Sequence, residues 1–275
     1  MVPTFYRDLF SLKGKTAVVT GGIGILGRHF CAGLAEFGAH VAVVDLDEQE
    51  AVQFARELTE RYGVSCLGLA CDVSSPDEVQ TMVEKVVGEF GEIHILHNNA
   101  ATKTDDLASL FAPFEEYSLK EWRKVVAVNL DGMFLTAQAV GKQMIQQGKG
   151  GSIIQTSSIY GILAPDQRIY EGSRYLDREI NTPAVYSASK AAVVGLSKYL
   201  ASYWADKGIR VNTLVPGGNE SGQNEAFQRN YSARVPLGRM CRPDELVAAL
   251  VFLASDASSY VTGQSFVIDG GLSVW

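Results

Sequence analysis

A short apolar run, a cluster of glycines and an amphipathic stretch follow one another without a break near the start of the chain, and this order constrains the fold more than any other feature. Lys15-Thr-Ala-Val-Val-Thr20 reads as a buried strand, Gly21-Gly22-Ile23-Gly24-Ile25-Leu26-Gly27 as a tight turn, and the residues from there to about Phe37 as a helix. Glycines let a backbone turn sharply and come close to a pyrophosphate, while the N–H groups and positive dipole end of the next helix face its charge. The unit is therefore expected to hold a dinucleotide, with Gly21, Ile23, Gly24, Ile25, Leu26 and Gly27 around its phosphates.

A second apolar run, His40-Val-Ala-Val-Val-Asp45, ends in a carboxylate at about the distance where such a unit places its ribose acceptor. Asp45, with Leu46 beside it, is expected to take the adenosine 2′-hydroxyl. A 2′-phosphate would be repelled by Asp45, Asp47 and Glu48, and no Arg or Lys is expected nearby to receive it, so NAD is favoured over NADP. The other reading makes Asp45 only a cap for the following helix, a task that Asp47 could perform equally well.

Further apolar runs near Cys66, Ile93, Ser152, Val211 and Ser265 alternate with amphipathic stretches, which predicts an α/β chain with a doubly wound parallel sheet, the Rossmann fold. At 275 residues, with no Pro/Ser-rich linker and with dinucleotide motifs from end to end, the expectation is a single domain over 1–275.

The candidate chemistry lies further along. Tyr186-Ser-Ala-Ser-Lys190 places a phenol and an ammonium one turn apart on a helix face. A fixed cation favours the phenolate, so the pair suits proton transfer. Together with Asn129 and Ser158, and in this order along the chain, it suits removal of a carbinol proton during hydride transfer. Alone, Asn129 also reads as a helix-interior residue bonding backbone, and Ser158 as a strand-end hydroxyl capping a turn.

These pieces, with Cys71-Asp72-Val73, Asn98-Asn99-Ala100-Ala101, Asn129-Leu130-Asp131-Gly132, Ser157-Ser158, Arg210-Val211-Asn212, Pro216-Gly217 and the tail from Val261 to Gly271, resemble the short-chain dehydrogenase/reductase family from about Leu12 to Gly271. The resemblance implies that Asp72 and Val73 border the adenine, that Asn99, Ala100 and Ala101 shape the floor below the nicotinamide, and that Pro216 and Gly217 lie beside its amide. It implies Tyr186 as acid/base and Ser158 as the donor that orients the substrate oxygen. Lys190 would lower the tyrosine pKa and hold the nicotinamide ribose, and Asn129 would fix a relay water. It also implies that the chain end packs against a twin subunit, a homo-tetramer before a dimer. The other reading of that end is a strand completing its own sheet, with Trp275 exposed.

Departures from the family pattern bear on substrate. Ile25 stands at the second glycine position of the usual single-domain turn and Gly24 one place earlier, a spacing similar to that of the extended branch with its nucleotide-sugar enzymes; Ala101 replaces a glycine. Residues 164–183 form an insert between Ser158 and Tyr186, bringing Arg168, Tyr170, Arg174, Tyr175 and Arg178 to the pocket mouth, a set suited to hydroxyl-rich or anionic ligands. The other reading is a solvated loop or subunit contact whose arginines pair with Asp166, Glu171, Asp177 and Glu179. Residues 217–235 are polar, Asn219 among them, and correspond to the family's substrate lid. The expected activity is interconversion of a secondary alcohol and a ketone on a sugar, nucleotide-sugar or polyol. A 3-oxoacyl-carrier-protein reductase and a non-catalytic NAD-binding scaffold or sensor stand as alternatives.

A net charge of −7 disfavours nucleic-acid and anionic-membrane partners. The start lacks a secretory pattern and no apolar stretch is long enough to span a bilayer, so a cytoplasmic protein is expected. Cys31, Cys66, Cys71 and Cys241, and His29, His40, His94 and His97, show no metal-ligand spacing, and no metal is expected.

Overall fold

The computed structural model describes residues 5–102, 107–175 and 178–275. The chain runs β1 (Thr16–Thr20), α1 (Ile25–Glu36), β2 (His40–Asp45), α2 (Glu48–Tyr62), β3 (Cys66–Ala70), α3 (Pro76–Phe90), β4 (Ile95–Asn98) and the single turn α4 (Leu107–Leu110). It continues through α5 (Leu119–Val126), α6 (Met133–Gln147), β5 (Gly151–Thr156), the two-residue strands β6 (Arg174–Tyr175) and β7 (Arg178–Glu179), and α7 (Ala184–Tyr203). It ends with β8 (Ile209–Pro216), α8 (Glu225–Ser232), α9 (Val247–Ala254) and β9 (Ser265–Ile268).

Every residue of β1 is buried, because helices cover both faces of the sheet and a strand between them has no side turned to water. Val18 sits opposite Ala42 of β2 on one side and Leu96 of β4 on the other, in parallel register. The sheet has seven strands in the order β3-β2-β1-β4-β5-β8-β9, and all its pairings are parallel. One face packs Phe30 and Leu34 of α1, Leu58 of α2 and Leu250 of α9. The other packs Val83 of α3, Val140 and Met144 of α6, and Leu200 of α7. Each such side chain contributes roughly 1.5–3 kcal/mol when fully buried.

Strand order reverses between β1 and β4. At such a switch point the loops leaving the strand ends diverge and open a crevice, which is where a ligand is expected. Local signals set the helix ends around it. Asp47 accepts from the Glu50 N–H at 3.0 Å, so Asp47, not Asp45, caps α2. Ser75 caps α3 with Pro76 in the first turn. Between α5 and α6 the helix passes through a wider π turn, Ala127–Gly132, which carries Asn129.

The insert does not stand out as a free loop. Asn230 of α8 donates to the carbonyl oxygens of Ile169 and Glu171, and Ser173 donates to Asn224. Beneath them Ile169 joins Tyr231, Val235 and Met240 in a small core of its own. No described helix is long and apolar enough to cross a membrane.

Candidate active site

The glycine turn is shaped by contacts that leave no room for side chains. Gly21 lies at φ +66°, and a Cβ there would stand 3.0 Å from Ala100 Cα. A Cβ on Gly27 would fall 1.9 Å from the Gly21 carbonyl oxygen, so α1 can rest on the turn only through a glycine. Beside Gly24, by contrast, a Cβ would meet only the Gly21 oxygen, at 3.4 Å, which leaves a cradle in front of the N-terminus of α1. The first amides of a helix have no acceptor within it, so this cradle suits a pyrophosphate. Ile25, in the second glycine's place, is accommodated because its side chain is more than half exposed.

Thr20 ties this turn to the neighbouring one. Its hydroxyl accepts from the N–H groups of Asn99 and Ala100 at 3.0 and 3.1 Å and approaches Asn98 Oδ1 at 3.3 Å. Asn98 in turn donates to the Met133 carbonyl, linking β4 to the start of α6. Thr20, the last residue of β1, takes this role because the register sets β1 beside β4.

Asp45 closes the other side. Its Oδ2 accepts from the Ile23 N–H at 3.1 Å and its Oδ1 from the Leu46 N–H at 2.8 Å, which fixes the carboxylate at the C-terminal end of β2. The Cys71 N–H donates to the Asp45 carbonyl, so the Asp72–Val73 turn stands next to it, with Asp72 Oδ1 held by Ser74.

One expectation is corrected here. A cation does lie near Asp45: Arg28 Nε donates to the Ile23 carbonyl at 3.0 Å, and the guanidinium is ion-paired with Glu50. Helical side chains lean toward the N-terminus of their helix, which brings Arg28 back over the turn that precedes it.

Across the crevice, β5 and α7 position the polar set. Ser158 follows β5 in an extended conformation and accepts from the Tyr160 N–H at 3.2 Å, while its hydroxyl lies near enough to Tyr186 to draw the phenol's pKa down. It thus caps a turn and meets the phenol at once. A Cβ on Gly161 would fall 2.7 Å from the Lys190 carbonyl, so that turn is pressed against α7. Ser157 donates to the same carbonyl at 2.7 Å.

Lys190 is 2% exposed and donates from Nζ to the Thr156 carbonyl at 2.9 Å. Burial pulls it down to about 8. Burial pushes the Tyr186 phenol above its ordinary range, and the opposing pull comes from the nearby Ser158 hydroxyl. The cation expected to lower Tyr186 is turned to the backbone instead. Asn129, fully buried, spends its side chain on Thr102, accepting from its N–H at 2.8 Å and donating to its carbonyl at 3.5 Å. It braces the segment after β4 and keeps a second N–H and a second lone pair beyond these bonds.

The substrate candidates divide. Tyr170 bonds Thr182 at 2.7 Å, packs against Phe227 with ring centroids 5.3 Å apart and the rings tilted by 39°, and lies near enough for Tyr186 to raise its pKa. Arg168 does not face the crevice: it is 78% exposed and forks onto Asp166, which also pairs with Arg234. Arg174 is exposed on the β6–β7 hairpin. The side chains of Tyr175 and Arg178 lie outside the described residues. The polar residues of 217–235 largely serve one another, with Gln223 donating to the Asn219 carbonyl and Gln228 to that of Gln223. Asn219 Nδ2 donates to the Gly217 carbonyl, but its Oδ1 is buried without a partner. Gly217, just beyond Pro216, donates to Ile268 at 2.9 Å and so joins the end of β8 to β9. Tyr160 and Tyr231 pack with Ile159 in the small apolar core that also holds Ile169. Among the described residues, no group of three or more His, Cys, Asp or Glu side chains could hold a metal ion.

Comparisons with known proteins extend over nearly the whole chain. A family model described as enoyl-(acyl carrier protein) reductase matches residues 22–273. The D-threitol dehydrogenase of Mycolicibacterium smegmatis is 38% identical, over 96% of this chain and 95% of its own. An NADP-dependent mannitol dehydrogenase of Alternaria alternata is 35% identical, over 98% and 97%. The crystal structure of a gluconate 5-dehydrogenase from Burkholderia cenocepacia, in complex with NADP and tartrate, superposes with a TM-score of 0.86 at 34% identity, covering 98% of this chain and 100% of that one. With a parallel sheet, a glycine cradle at its switch point and relatives matched end to end, the chain belongs to the short-chain dehydrogenase/reductase family, whose members are nicotinamide-dependent oxidoreductases.

Proposed function

We propose that this chain is an NAD-dependent dehydrogenase that interconverts a secondary alcohol and a ketone on a polyol or sugar-type substrate. The observation that carries the reading is the meeting of Ser158 and Tyr186 at the C-terminal end of β5, with Lys190 one turn along α7 and anchored to Thr156. Relatives named for threitol and mannitol support a hydroxyl-rich substrate.

When bound, the nicotinamide supplies the hydride acceptor. The chain's residues handle the proton. Tyr186 takes the proton from the carbinol oxygen, and Ser158 donates a hydrogen bond to that oxygen as the carbonyl forms. Lys190, close to its own titration point at neutral pH, keeps a positive charge available beside the nicotinamide ribose. Asn129 holds the wall after β4, near Asn99, Ala100 and Ala101.

Gly21, Ile23, Gly24, Ile25, Leu26 and Gly27 hold the pyrophosphate, Asp72 and Val73 border the adenine, and Pro216 and Gly217 meet the nicotinamide amide. Asp45 takes the ribose 2′-hydroxyl and selects NAD, beside Leu46. Residues 217–235 act as a lid whose Asn219 offers an unpaired oxygen to substrate, with Tyr170 behind it. Self-association into a tetramer or dimer would cover Tyr199 and Tyr203 on α7, and Trp275 at the chain end, all more than half exposed.

The test is a turnover screen with NAD⁺ and NADP⁺ against four- to six-carbon polyols and sugar acids, and with the reduced cofactors against ketoses and 3-oxoacyl thioesters. Turnover of a polyol with NAD⁺, abolished by Tyr186→Phe, supports the reading. Turnover confined to NADPH and 3-oxoacyl thioesters rejects it.

A further inference from the structure

Arg28 and Asp45 grip the same residue from opposite sides: the carboxylate accepts from the Ile23 N–H at 3.1 Å, and the guanidinium donates to the Ile23 carbonyl at 3.0 Å. A cation therefore stands within one residue of the group expected to meet the adenosine ribose. Its surroundings hold it in place. The guanidinium carbon lies 4.6 Å from the centroid of the Phe54 ring, and Nη2 is ion-paired with Glu50. Glu50 is itself set by the first turn of α2, where its N–H donates to Asp47.

We infer that Glu50 is a latch on Arg28 that withholds this cation from a 2′-phosphate and thereby sets which dinucleotide the chain accepts. The inference takes the NAD reading above as its starting point and adds a residue to it. Asp45 disfavours a 2′-phosphate by repulsion. Glu50 acts differently, by engaging Nη2 with one carboxylate oxygen and so holding back a donor that would otherwise be turned to the phosphate oxygens. Nε remains on the Ile23 carbonyl in either state and Phe54 keeps the plane of the group, so only the outer nitrogens need to change partner. The exchange is accessible because both side chains are partly exposed, 36% for Arg28 and 52% for Glu50, and an exposed pair is weakly held.

The experiment is a binding cycle on the whole enzyme: dissociation constants for NAD⁺ and NADP⁺ by calorimetry for wild type, Glu50→Gln, Arg28→Met and the double variant. The latch predicts that Glu50→Gln tightens NADP⁺ about tenfold while leaving NAD⁺ within about twofold, and that the gain disappears when Arg28 is also replaced. Simple removal of a surface negative charge would also help NADP⁺, but that gain would survive in the Arg28→Met background, and this result overturns the inference. Equal changes for both cofactors, or none, overturn it as well. A wild type that already prefers NADP⁺ would sink the NAD reading alone, because the dependence of the Glu50 effect on Arg28 still decides the latch.

Discussion

Lys190 Nζ donates to the Thr156 carbonyl across 2.9 Å, so the ammonium is turned down toward the end of β5 while the phenol one turn earlier lies near Ser158. A buried base that titrates at about 8, against its ordinary 10.5, binds fewer protons than the unfolded chain between those values. Stability of the ligand-free protein should therefore rise with pH across that window, and the burial cost remains in full below it. Urea midpoints at pH 7.5 and 9.5 for wild type and Lys190→Met check this. The wild type should gain on the variant as pH rises, and parallel behaviour would reject the assignment.

Replacing Tyr186 by Phe removes the proposed proton acceptor and leaves a side chain of nearly the same shape on α7. We expect kcat/KM to fall by about a thousandfold, with the thermal midpoint nearly unchanged. Ser158→Ala should cost about a hundredfold, because it removes one donor to the developing oxyanion. Steady-state kinetics on the best substrate from the screen, alongside thermal melts, separate loss of chemistry from loss of fold.

Gly27→Ala puts a methyl where the Gly21 carbonyl oxygen already stands. Overpacking of this kind costs about 1–3 kcal/mol and sometimes more. The variant should melt earlier and lose dinucleotide binding, as read by calorimetry with NAD⁺. Wild-type affinity in this variant would mean that the turn adapts.

His97 is fully buried against Phe30, with Nε2 at 2.9 Å from Thr156 Oγ1, and burial holds it down at about 3. The unfolded chain takes up a proton near 6.5 that the native chain refuses, so stability falls as pH drops from 6.5 toward 3, by up to about 1.4 kcal/mol per unit. Between pH 6.5 and 5, His97→Gln should lose stability less steeply than wild type in guanidinium titrations, whatever its absolute stability.

Asn230→Ala deletes both side-chain bonds from α8 to the insert. Limited trypsin digestion should then cut faster after Arg168 or Arg174, while far-UV circular dichroism stays the same. Unchanged cleavage would show that the remaining ties, the Ser173–Asn224 bond, the Asp166–Arg234 pair and the apolar core around Ile169, hold the insert without Asn230.

Much of the fold was legible because its signals are local. The seven main strands stand where apolar runs alternate with amphipathic stretches, and Asp47 caps a helix as its position suggests. The insert was legible as a departure, but not its destination. Whether Arg168 faced substrate or Asp166 depended on a turn that Asp166 itself caps, and nothing in the spacing of charges reveals that choice. Arg28 was missed for a related reason. Its partners Ile23 and Glu50 are five and twenty-two residues away, and only the packing of α1 against α2 brings Glu50 into reach. The tie from Asn129 to Thr102 likewise depends on the π turn, a local widening that no residue pattern announces.

The insert and α8 hold each other through Asn230, Ser173 and a shared apolar patch, while the acid–base group hangs from β5 and α7. Recognition and chemistry are thus separable pieces of hardware. Transplanting 164–183 together with 217–235 into a relative should carry a complete pocket wall with it, whereas moving either segment alone would strand the amide of Asn230 or the underside of the insert. Substrate range in such a scaffold can drift by exchanging this paired cassette, leaving the machinery for proton transfer as it is.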